Sequence, residues 1–305
     1  MSGSEVLGVR AGRAKTGERT VAVPQDRGKG LPRSSRVRYT TAVQLPLEPH
    51  ASLVPFAPAA QRDLVVFGAP VQLVFVPSRK QRQDRATPER PAFRRSPAFR
   101  IVDEEAFWRG QGHALTPNRH PFAAGQRLLW TTERRREPDA VFWALCGEWV
   151  EHSGGAALVN SIGAAATIAR CHAHLVPERL PFLDQLPERA FAGDLIDLPG
   201  GVTLVEKQVP FALLGVRTDS PAARADALLR LAEARLVAAW NVVLQGDTAW
   251  VLPRALETPA EHFPYALGAA ELWGRWCYMD EAPFVAATGE KLERALVAAA
   301  MPKLG

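Results

Sequence analysis

Residues 167–176, Thr-Ile-Ala-Arg-Cys-His-Ala-His-Leu-Val, alternate between two kinds of side chain with a period of two. The small apolar set comprises Ala169, Cys171, Ala173 and Leu175. The other set comprises Ile168, Arg170, His172, His174 and Val176. Because successive side chains of a strand point to opposite faces, the pattern predicts a β-strand with its small apolar face in the core. The opposite face would then present Arg170, His172 and His174 side by side to a cleft.

Other segments predict further strands and turns. Two apolar runs within residues 64–76 flank Gly-Ala-Pro, and residues 127–130 and 156–160 each form a short apolar run after glycine. Residues 241–252 form two apolar runs on either side of Gly246 and Asp247, which is typical of a β-hairpin. The connection at 77–100 is rich in proline and arginine and predicts a long loop.

Three helices are predicted between these strands. Residues 138–152 combine a proline suited to the first helical turn, an apolar stripe of Val141, Leu145 and Trp149, and a Gly-Gly stop. Ser220 and Pro221 are typical of the start of a second helix. An alanine-rich helix is expected to end before Pro302. Strands and helices together indicate an α+β fold.

Composition is that of a globular protein. Of 305 residues, 47% are hydrophobic and 23% are charged, and this length allows one large α+β domain or two closely fused halves. Charge or proline interrupts every apolar stretch, and the N-terminus lacks the apolar core of a secretion signal, so we expect a cytoplasmic protein with no membrane partner. The cysteines have no Cys-x-x-Cys spacing and are expected to be reduced thiols, namely Cys146, Cys171 and Cys277.

Positive charge is concentrated toward the N-terminal third of the chain. The net charge is +5, and residues 1–37 lack a sustained hydrophobic period, which predicts a disordered basic tail. A basic surface favours anionic partners. Since no nucleic-acid recognition module is evident, a nucleotide satisfies this preference and nucleic acid is not expected. Lys80, within the run Arg-Lys-Gln-Arg, is a candidate phosphate ligand, although a solvated charge run is the commoner explanation.

The histidine segment has the residue types needed for phosphoryl chemistry. Neutral imidazole is a nucleophile near pH 7, because its ordinary pKa of about 6.5 leaves a large unprotonated fraction. A second histidine on the same strand face can orient a leaving group or give it a proton, and Arg170 can neutralise phosphate oxygens. The same His-x-His pattern also occurs in metal sites and in ordinary hydrogen-bonded strands, so both alternatives stay open.

Residues 160–168, Asn-Ser-Ile-Gly-Ala-Ala-Ala-Thr-Ile, run without a gap into the histidine strand. This stretch resembles the GDP-L-galactose phosphorylase branch of the histidine-triad superfamily, in which Asn-Ser-x-Gly leads into His-x-His-x-Gln or His-x-His-x-His. In that register His172 matches the nucleophile, His174 matches the following Gln or His, and Arg170 replaces the leading histidine. A slip toward the diadenosine tetraphosphate phosphorylase pattern would make His174 the nucleophile and place Val176 at the Gln. We prefer the ungapped register.

The resemblance extends in order over the chain from Leu64 to the C-terminus. Residues 118–122 and 125–129 resemble the Asn-x-x-Pro and Gly-His-x-Leu-Leu segments of these enzymes, with Gln126 where histidine is usual. Residues 240–244 and 250–254 resemble the later hairpin, and residues 268–284 resemble the stretch that follows it. The resemblance implies a histidine-triad-like antiparallel sheet packed with helices, with two fused halves as an option. We place the catalytic half at 38–190 and the second half at 191–305.

The resemblance also implies a function. A histidine would be transiently nucleotidylated by a nucleoside diphosphate sugar such as a GDP-hexose, or by a dinucleoside polyphosphate, and phosphate or water would release the nucleotide. The candidate substrate-binding residues are Asn160, Ser161 and Gly163 for phosphate or ribose, Asn118 for the nucleotide, and Arg254 for phosphate or structural contact. We expect no cofactor and no metal. The alternatives are a metal-binding protein with His172 and His174 as ligands, and a catalytically degenerate nucleotide- or RNA-binding module.

Overall fold

The described part of the chain has a β-hairpin and a 3-10 turn as its first elements. The computed structural model describes residues 45–80, 98–193 and 195–303, all of which fall in one compact unit. The expected tail at 1–37 and residues 81–97 of the proline-rich connection lie outside these ranges. The elements are β1 (Ala60–Val66), β2 (Ala69–Phe75), a 3-10 turn (Pro77–Arg79) and α1 (Ala98–Glu105). The two short strands predicted within residues 64–76 are confirmed, and they pair antiparallel as a hairpin.

Two further groups of elements follow, each with the same order of strands and helices. The first group is β3 (Trp108–Gly110), β4 (His113–Pro117), β5 (Arg127–Thr131), α2 (Ala140–Ser153), β6 (Ala156–Asn160) and β7 (His172–Val176). After α3 (Phe182–Gln185), the second group is β8 (Glu188–Ala190), β9 (Thr203–Lys207), β10 (Leu214–Arg217), α4 (Pro221–Glu233), β11 (Trp240–Gln245) and β12 (Thr248–Pro253). The described chain ends with α5 (Ala269–Trp273), β13 (Arg275–Tyr278), α6 (Glu281–Val285) and α7 (Gly289–Ala299).

The two groups build one antiparallel sheet of ten strands, ordered β3-β4-β5-β7-β6-β11-β12-β10-β9-β8. Each half is therefore a three-stranded meander, a helix and a hairpin, and the halves meet where β6 pairs with β11. This symmetry confirms the predicted α+β architecture, including the option of two fused halves. The divide falls between β7 and β8, whereas the exact limits 38–190 and 191–305 stay predictions. The histidines lie on β7, and the corresponding strand β12, Thr-Ala-Trp-Val-Leu-Pro, carries none.

Different layers cover the two faces of the large sheet. On one face α2 and α4 pack their buried residues, such as Leu145, Trp149 and Leu228, against Ala173 and Leu175 of β7. On the other face lies a second sheet ordered β1-β2-β13, in which β13 pairs parallel with β2. The second sheet and the C-terminal helices bury their side chains against β6, β11 and β12 in one apolar cluster. The small apolar face of β7 thus belongs to the core, as predicted.

Local signals at the helix ends are confirmed except at Pro138, which precedes the cap of α2 and does not lie in its first turn. Asp139 caps α2 by accepting a hydrogen bond from the Phe142 N–H at 2.8 Å, and Gly154 ends the helix in the left-handed region at φ 66°. Ser220 caps α4 in the same way through the Ala223 N–H at 3.2 Å. The three cysteines are buried thiols. Across the described ranges, every helix is too short or too polar to cross a bilayer.

The predicted strand at 167–176 is shorter than its alternation indicated. Pairing of β5 with β7 ends at Trp130 and His172, because β5 itself stops at Thr131 and leaves no strand beside residues 167–170. Residues 168–170 form bends instead. An alternating sequence pattern predicts which side chains share a strand face, but it does not indicate how long the neighbouring strand is.

Candidate active site

His172 is the first residue of β7, and its ring lies against the face of the large sheet that is opposite the long helices. The ring stacks on Trp130 of the paired strand β5, with centroids 4.6 Å apart and planes 28° from parallel. Only 6% of the residue is exposed. Trp130 is itself fixed, since its indole N–H donates to the Thr116 hydroxyl at 2.9 Å. This packing defines the plane of the imidazole.

A backbone hydrogen bond sets the tautomer of His172. Its Nδ1 lies 2.8 Å from the carbonyl oxygen of Arg170. A carbonyl can only accept, so Nδ1 carries the proton and donates. In the neutral ring the lone pair is therefore on Nε2. This is the form that a histidine nucleophile requires, and it favours the ungapped register in which His172 is the attacking residue.

His174 lies two residues along the same face and has a different partner. Its Nδ1 is 2.8 Å from the side-chain amide nitrogen of Gln126. The His174 and His172 rings are 5.4 Å apart in a T-shaped arrangement, and the Phe122 ring lies 5.4 Å from His174 on another side. His174 is 9% exposed. The two histidines therefore form one cluster with Phe122, Gln126 and Trp130.

Arg170 contributes to this cluster mainly through its backbone. Its carbonyl holds His172, while its guanidinium donates to the carbonyls of Thr131 at 2.8 Å and Thr132 at 2.5 Å. The side chain is buried, and this burial lowers its pKa from the ordinary value. The arginine thus braces the end of β5 beside the histidines. Its expected contact with substrate phosphate stays a prediction.

Asn160 is the last residue of β6, and Ser161 and Gly163 lie on the loop that joins β6 to β7. The side-chain oxygen of Asn160 accepts from the Asn241 amide and from the Ala269 N–H, both at 2.8 Å. The Ser161 hydroxyl accepts from the Trp240 N–H at 2.7 Å, and Gly163 has a φ of +90°, which favours glycine. Val159 pairs with Ala173, so Asn160 and His172 follow at the same end of adjacent strands.

Arg254 is a buried structural centre behind this loop. All five of its N–H groups donate to protein oxygens. The acceptors are Asn241 Oδ1 and the backbone carbonyls of Leu256, Glu257, Leu267 and Ala299. Burial lowers its pKa to about 10, so the guanidinium stays charged at neutral pH. A phosphate would have to displace one of these bonds, which favours the structural interpretation of Arg254.

Asn118 and Lys80 have described partners that are different from those of the histidines. The Asn118 side chain accepts from the His120 N–H at 3.0 Å and shapes the loop that carries Phe122 and Gln126. Lys80 forms an exposed ion pair with Asp280 at 2.9 Å. Lys80 is thus held by a carboxylate, and both substrate-binding assignments stay predictions.

The sequence pattern identified the two histidines but not the residues that orient them. In the sequence, Gln126 was notable only because histidine is expected at its position. Trp130 and Phe122 were recognisable only as hydrophobic residues. A useful signal was available in Gly125, whose left-handed turn (φ 65°) immediately precedes Gln126. Among the described residues, no group of three His, Cys, Asp or Glu side chains is placed to hold a metal ion.

A buried carboxyl group next to this region predicts a pH-dependent stability. Glu271 of α5 accepts from the Gly268 N–H at 2.8 Å, and burial raises its pKa from 4.5 to about 6. The unfolded chain loses this proton first as pH rises, so the folded state is penalised progressively between pH 4.5 and 6 and fully above that range. We expect Glu271→Gln to stabilise the protein by up to about 2 kcal/mol at pH 8 and little at pH 4.

Urea denaturation at the two pH values measures this difference. Glu290→Gln, on the exposed surface of α7, makes the same chemical change and should alter the unfolding free energy by less than about 0.5 kcal/mol at either pH. An identical effect of Glu271→Gln at pH 4 and pH 8 would contradict the assignment.

No protein-family model matches the sequence, and no curated protein matches it either. The fold does match solved structures. Yeast Ap4A phosphorylase Apa2 in complex with Ap4A has a TM-score of 0.61 and 15% sequence identity, over 83% of this chain and 93% of that chain. The same yeast protein in complex with AMP gives a TM-score of 0.58 and 15% identity, over 81% and 89% of the two chains.

These matches identify the fold class of the chain. It has the histidine-triad-like architecture of yeast Ap4A phosphorylase, which confirms the resemblance inferred from the histidine segment at the level of the fold. The match covers 83% of this chain, which is more than either half of the large sheet alone.

Proposed function

We propose that this protein is a nucleotidyltransferase that cleaves a nucleotide phosphoanhydride through a nucleotidyl intermediate on His172. The observation that carries the proposal is the hydrogen bond from His172 Nδ1–H to the Arg170 carbonyl at 2.8 Å. It requires the neutral ring to hold its lone pair on Nε2, and Trp130 holds the ring plane. A rigidly presented imidazole of this tautomer is a competent nucleophile toward phosphorus.

In the first step Nε2 of His172 attacks the α-phosphorus of the bound nucleotide. A P–N bond forms while the bridging P–O bond breaks, and its electron pair leaves on the bridging oxygen. His174 donates a hydrogen bond to that oxygen from its own Nε2–H, because its Nδ1 faces the Gln126 amide, and this hydrogen bond stabilises the negative charge that develops there. In the second step an oxygen of phosphate, or of water that releases its proton to solvent, attacks the same phosphorus. The P–N bond then breaks, and the electron pair returns to Nε2 of His172.

Two observations support a substrate with a nucleotide phosphoanhydride. The segment at 160–168 resembles enzymes acting on a nucleoside diphosphate sugar, whereas the matching solved structures contain Ap4A and AMP. Both substrate types contain an α-phosphorus in an anhydride, which is all that the histidine chemistry requires. The fold match over most of both chains favours a dinucleoside polyphosphate as the first substrate to test. We propose phosphate as the acceptor, with water as the alternative.

A product assay distinguishes these substrates and acceptors. Purified protein is incubated with Ap4A, or with each member of a GDP-hexose panel, with and without inorganic phosphate, and the nucleotides are separated by chromatography. A phosphorylase releases a nucleoside diphosphate only when phosphate is present. A hydrolase releases a nucleoside monophosphate in either condition. Absence of any released nucleotide from every donor would contradict the proposed activity.

A further inference from the structure

Gln126 is completely buried, and its side-chain amide has one possible orientation. Its Oε1 lies 2.8 Å from the backbone nitrogen of Phe122, which can only donate. The amide oxygen must therefore face Phe122, and the NH2 group must face His174 Nδ1, also at 2.8 Å. Since the NH2 group donates, His174 Nδ1 accepts, and the neutral His174 ring carries its proton on Nε2.

The two neighbouring histidines are thus held in opposite tautomers. His172 donates through Nδ1 to a carbonyl, whereas His174 accepts at Nδ1 from an amide. The first arrangement gives a lone pair on Nε2 and the second gives a proton on Nε2. These are the forms of a nucleophile and of a hydrogen-bond donor, 5.4 Å apart between ring centroids.

Two arginine side chains, on and next to the second sheet, form hydrogen bonds with the loop that carries Gln126. Arg275 of β13 donates to the Phe122 carbonyl at 3.1 Å and is itself held by both carboxylate oxygens of Glu178, at 2.6 and 3.0 Å. Arg79 donates to the His120 carbonyl at 2.6 Å. A Cβ on Gly125 would lie only 3.0 Å from the Pro177 side chain, so the turn before Gln126 is also closely packed.

We infer that Gln126 is a positioning residue that fixes His174 as the Nε2–H tautomer and so prepares it to donate a hydrogen bond to the leaving oxygen. An amide does not titrate, so it imposes this tautomer at every pH at which His174 is neutral. The histidine that the family resemblance expects at this position could present either a donor or an acceptor to His174. The role as hydrogen-bond donor rests on the proposed function, whereas the tautomer assignment does not.

Substitution of Gln126 by glutamate reverses the hydrogen bond with almost no change of shape. One carboxylate oxygen can still accept a hydrogen bond from the Phe122 N–H, and the other would accept a hydrogen bond from His174 Nδ1–H. We expect wild-type protein to show His174 as the Nε2–H tautomer in two-bond ¹H–¹⁵N spectra of ¹⁵N-histidine-labelled protein. In Gln126→Glu the His174 signals should shift to an Nδ1-protonated ring, while those of His172 keep their pattern. Loss of signals in His174→Gln assigns the resonances.

In the proposed reaction, the same substitution should reduce turnover by about 10²-fold or more at a pH at which the spectra show the variant's His174 ring to be neutral, because Nε2 then carries a lone pair and cannot donate. Gln185→Glu, exposed on α3, is the matched control and should change neither the spectrum nor turnover. A wild-type His174 ring protonated on Nδ1 would overturn the inference, and this measurement does not depend on a variant that folds. Unchanged turnover in Gln126→Glu at that pH would overturn the hydrogen-bond-donor role. If wild-type protein turns over no nucleotide, the proposed function fails while the spectrum still decides the tautomer.

Discussion

Replacement of His172 by alanine should lower nucleotide release by at least about 10⁴-fold, because it removes the atom that bonds to phosphorus in the proposed reaction. The substitution should leave the fold intact, since the described contacts of the ring are a hydrogen bond to the local Arg170 carbonyl and packing against Trp130 and His174. His172→Gln, which retains a polar side chain, should be equally inactive. Steady-state product formation with Ap4A and phosphate measures the effect.

Two other histidines provide the comparison. His174→Ala should lower turnover by only about 10²- to 10³-fold, as for a residue that donates a hydrogen bond to developing charge. His152→Ala, on the exposed end of α2, should retain the wild-type rate. If His174→Ala were the more damaging change and His172→Ala remained active, the slipped register would be correct and the assignment of the nucleophile would be wrong.

Replacement of Arg254 by methionine destabilises the folded protein by about 4 kcal/mol, because it leaves the buried oxygen acceptors around the guanidinium without their donors. These acceptors come from β11, the segments after β12, and the end of α7, so the effect should extend over the second half of the sheet. Arg254→Lys should have an intermediate effect, since lysine keeps the charge but offers only three donors.

Urea denaturation followed by circular dichroism measures the change. Arg189→Met removes an exposed arginine whose described partner is Glu206 at 2.6 Å, and it should cost less than about 1 kcal/mol. If Arg254→Met were as stable as Arg189→Met, the guanidinium would not be a structural centre, and a substrate-binding role would be the better explanation.

Local sequence signals predicted the elements but not their partners. The hairpin at Gly246, the cap at Ser220 and the end of α2 at Gly154 depend on neighbouring residues, and each forms as expected. The parallel pairing of β13 with β2 joins segments about 200 positions apart and left no periodic pattern in either segment. Nor did the sequence indicate that β7 begins only at His172, because that limit depends on where β5 ends.

The chemistry of the site was predicted one residue at a time, whereas its geometry comes from non-local contacts. The His-x-His spacing was enough to place both rings on one strand face. The tautomer of His172 depends on a carbonyl, which every residue carries and no sequence motif displays. Gln126 reaches His174 from 48 positions away, so its role required the strand register. Arg254 was ambiguous in sequence, because a structural and a phosphate-binding arginine have the same side chain.

Intact-mass spectrometry of the protein after brief exposure to Ap4A without phosphate tests the nucleophile most directly. We expect wild-type protein to gain the mass of one nucleoside monophosphate, and this adduct should disappear on addition of phosphate or on acid treatment, as a P–N bond would. His172→Ala should gain no mass, and His152→Ala should behave as wild type. Persistence of the adduct in His172→Ala would show that phosphorus is bonded to a different side chain.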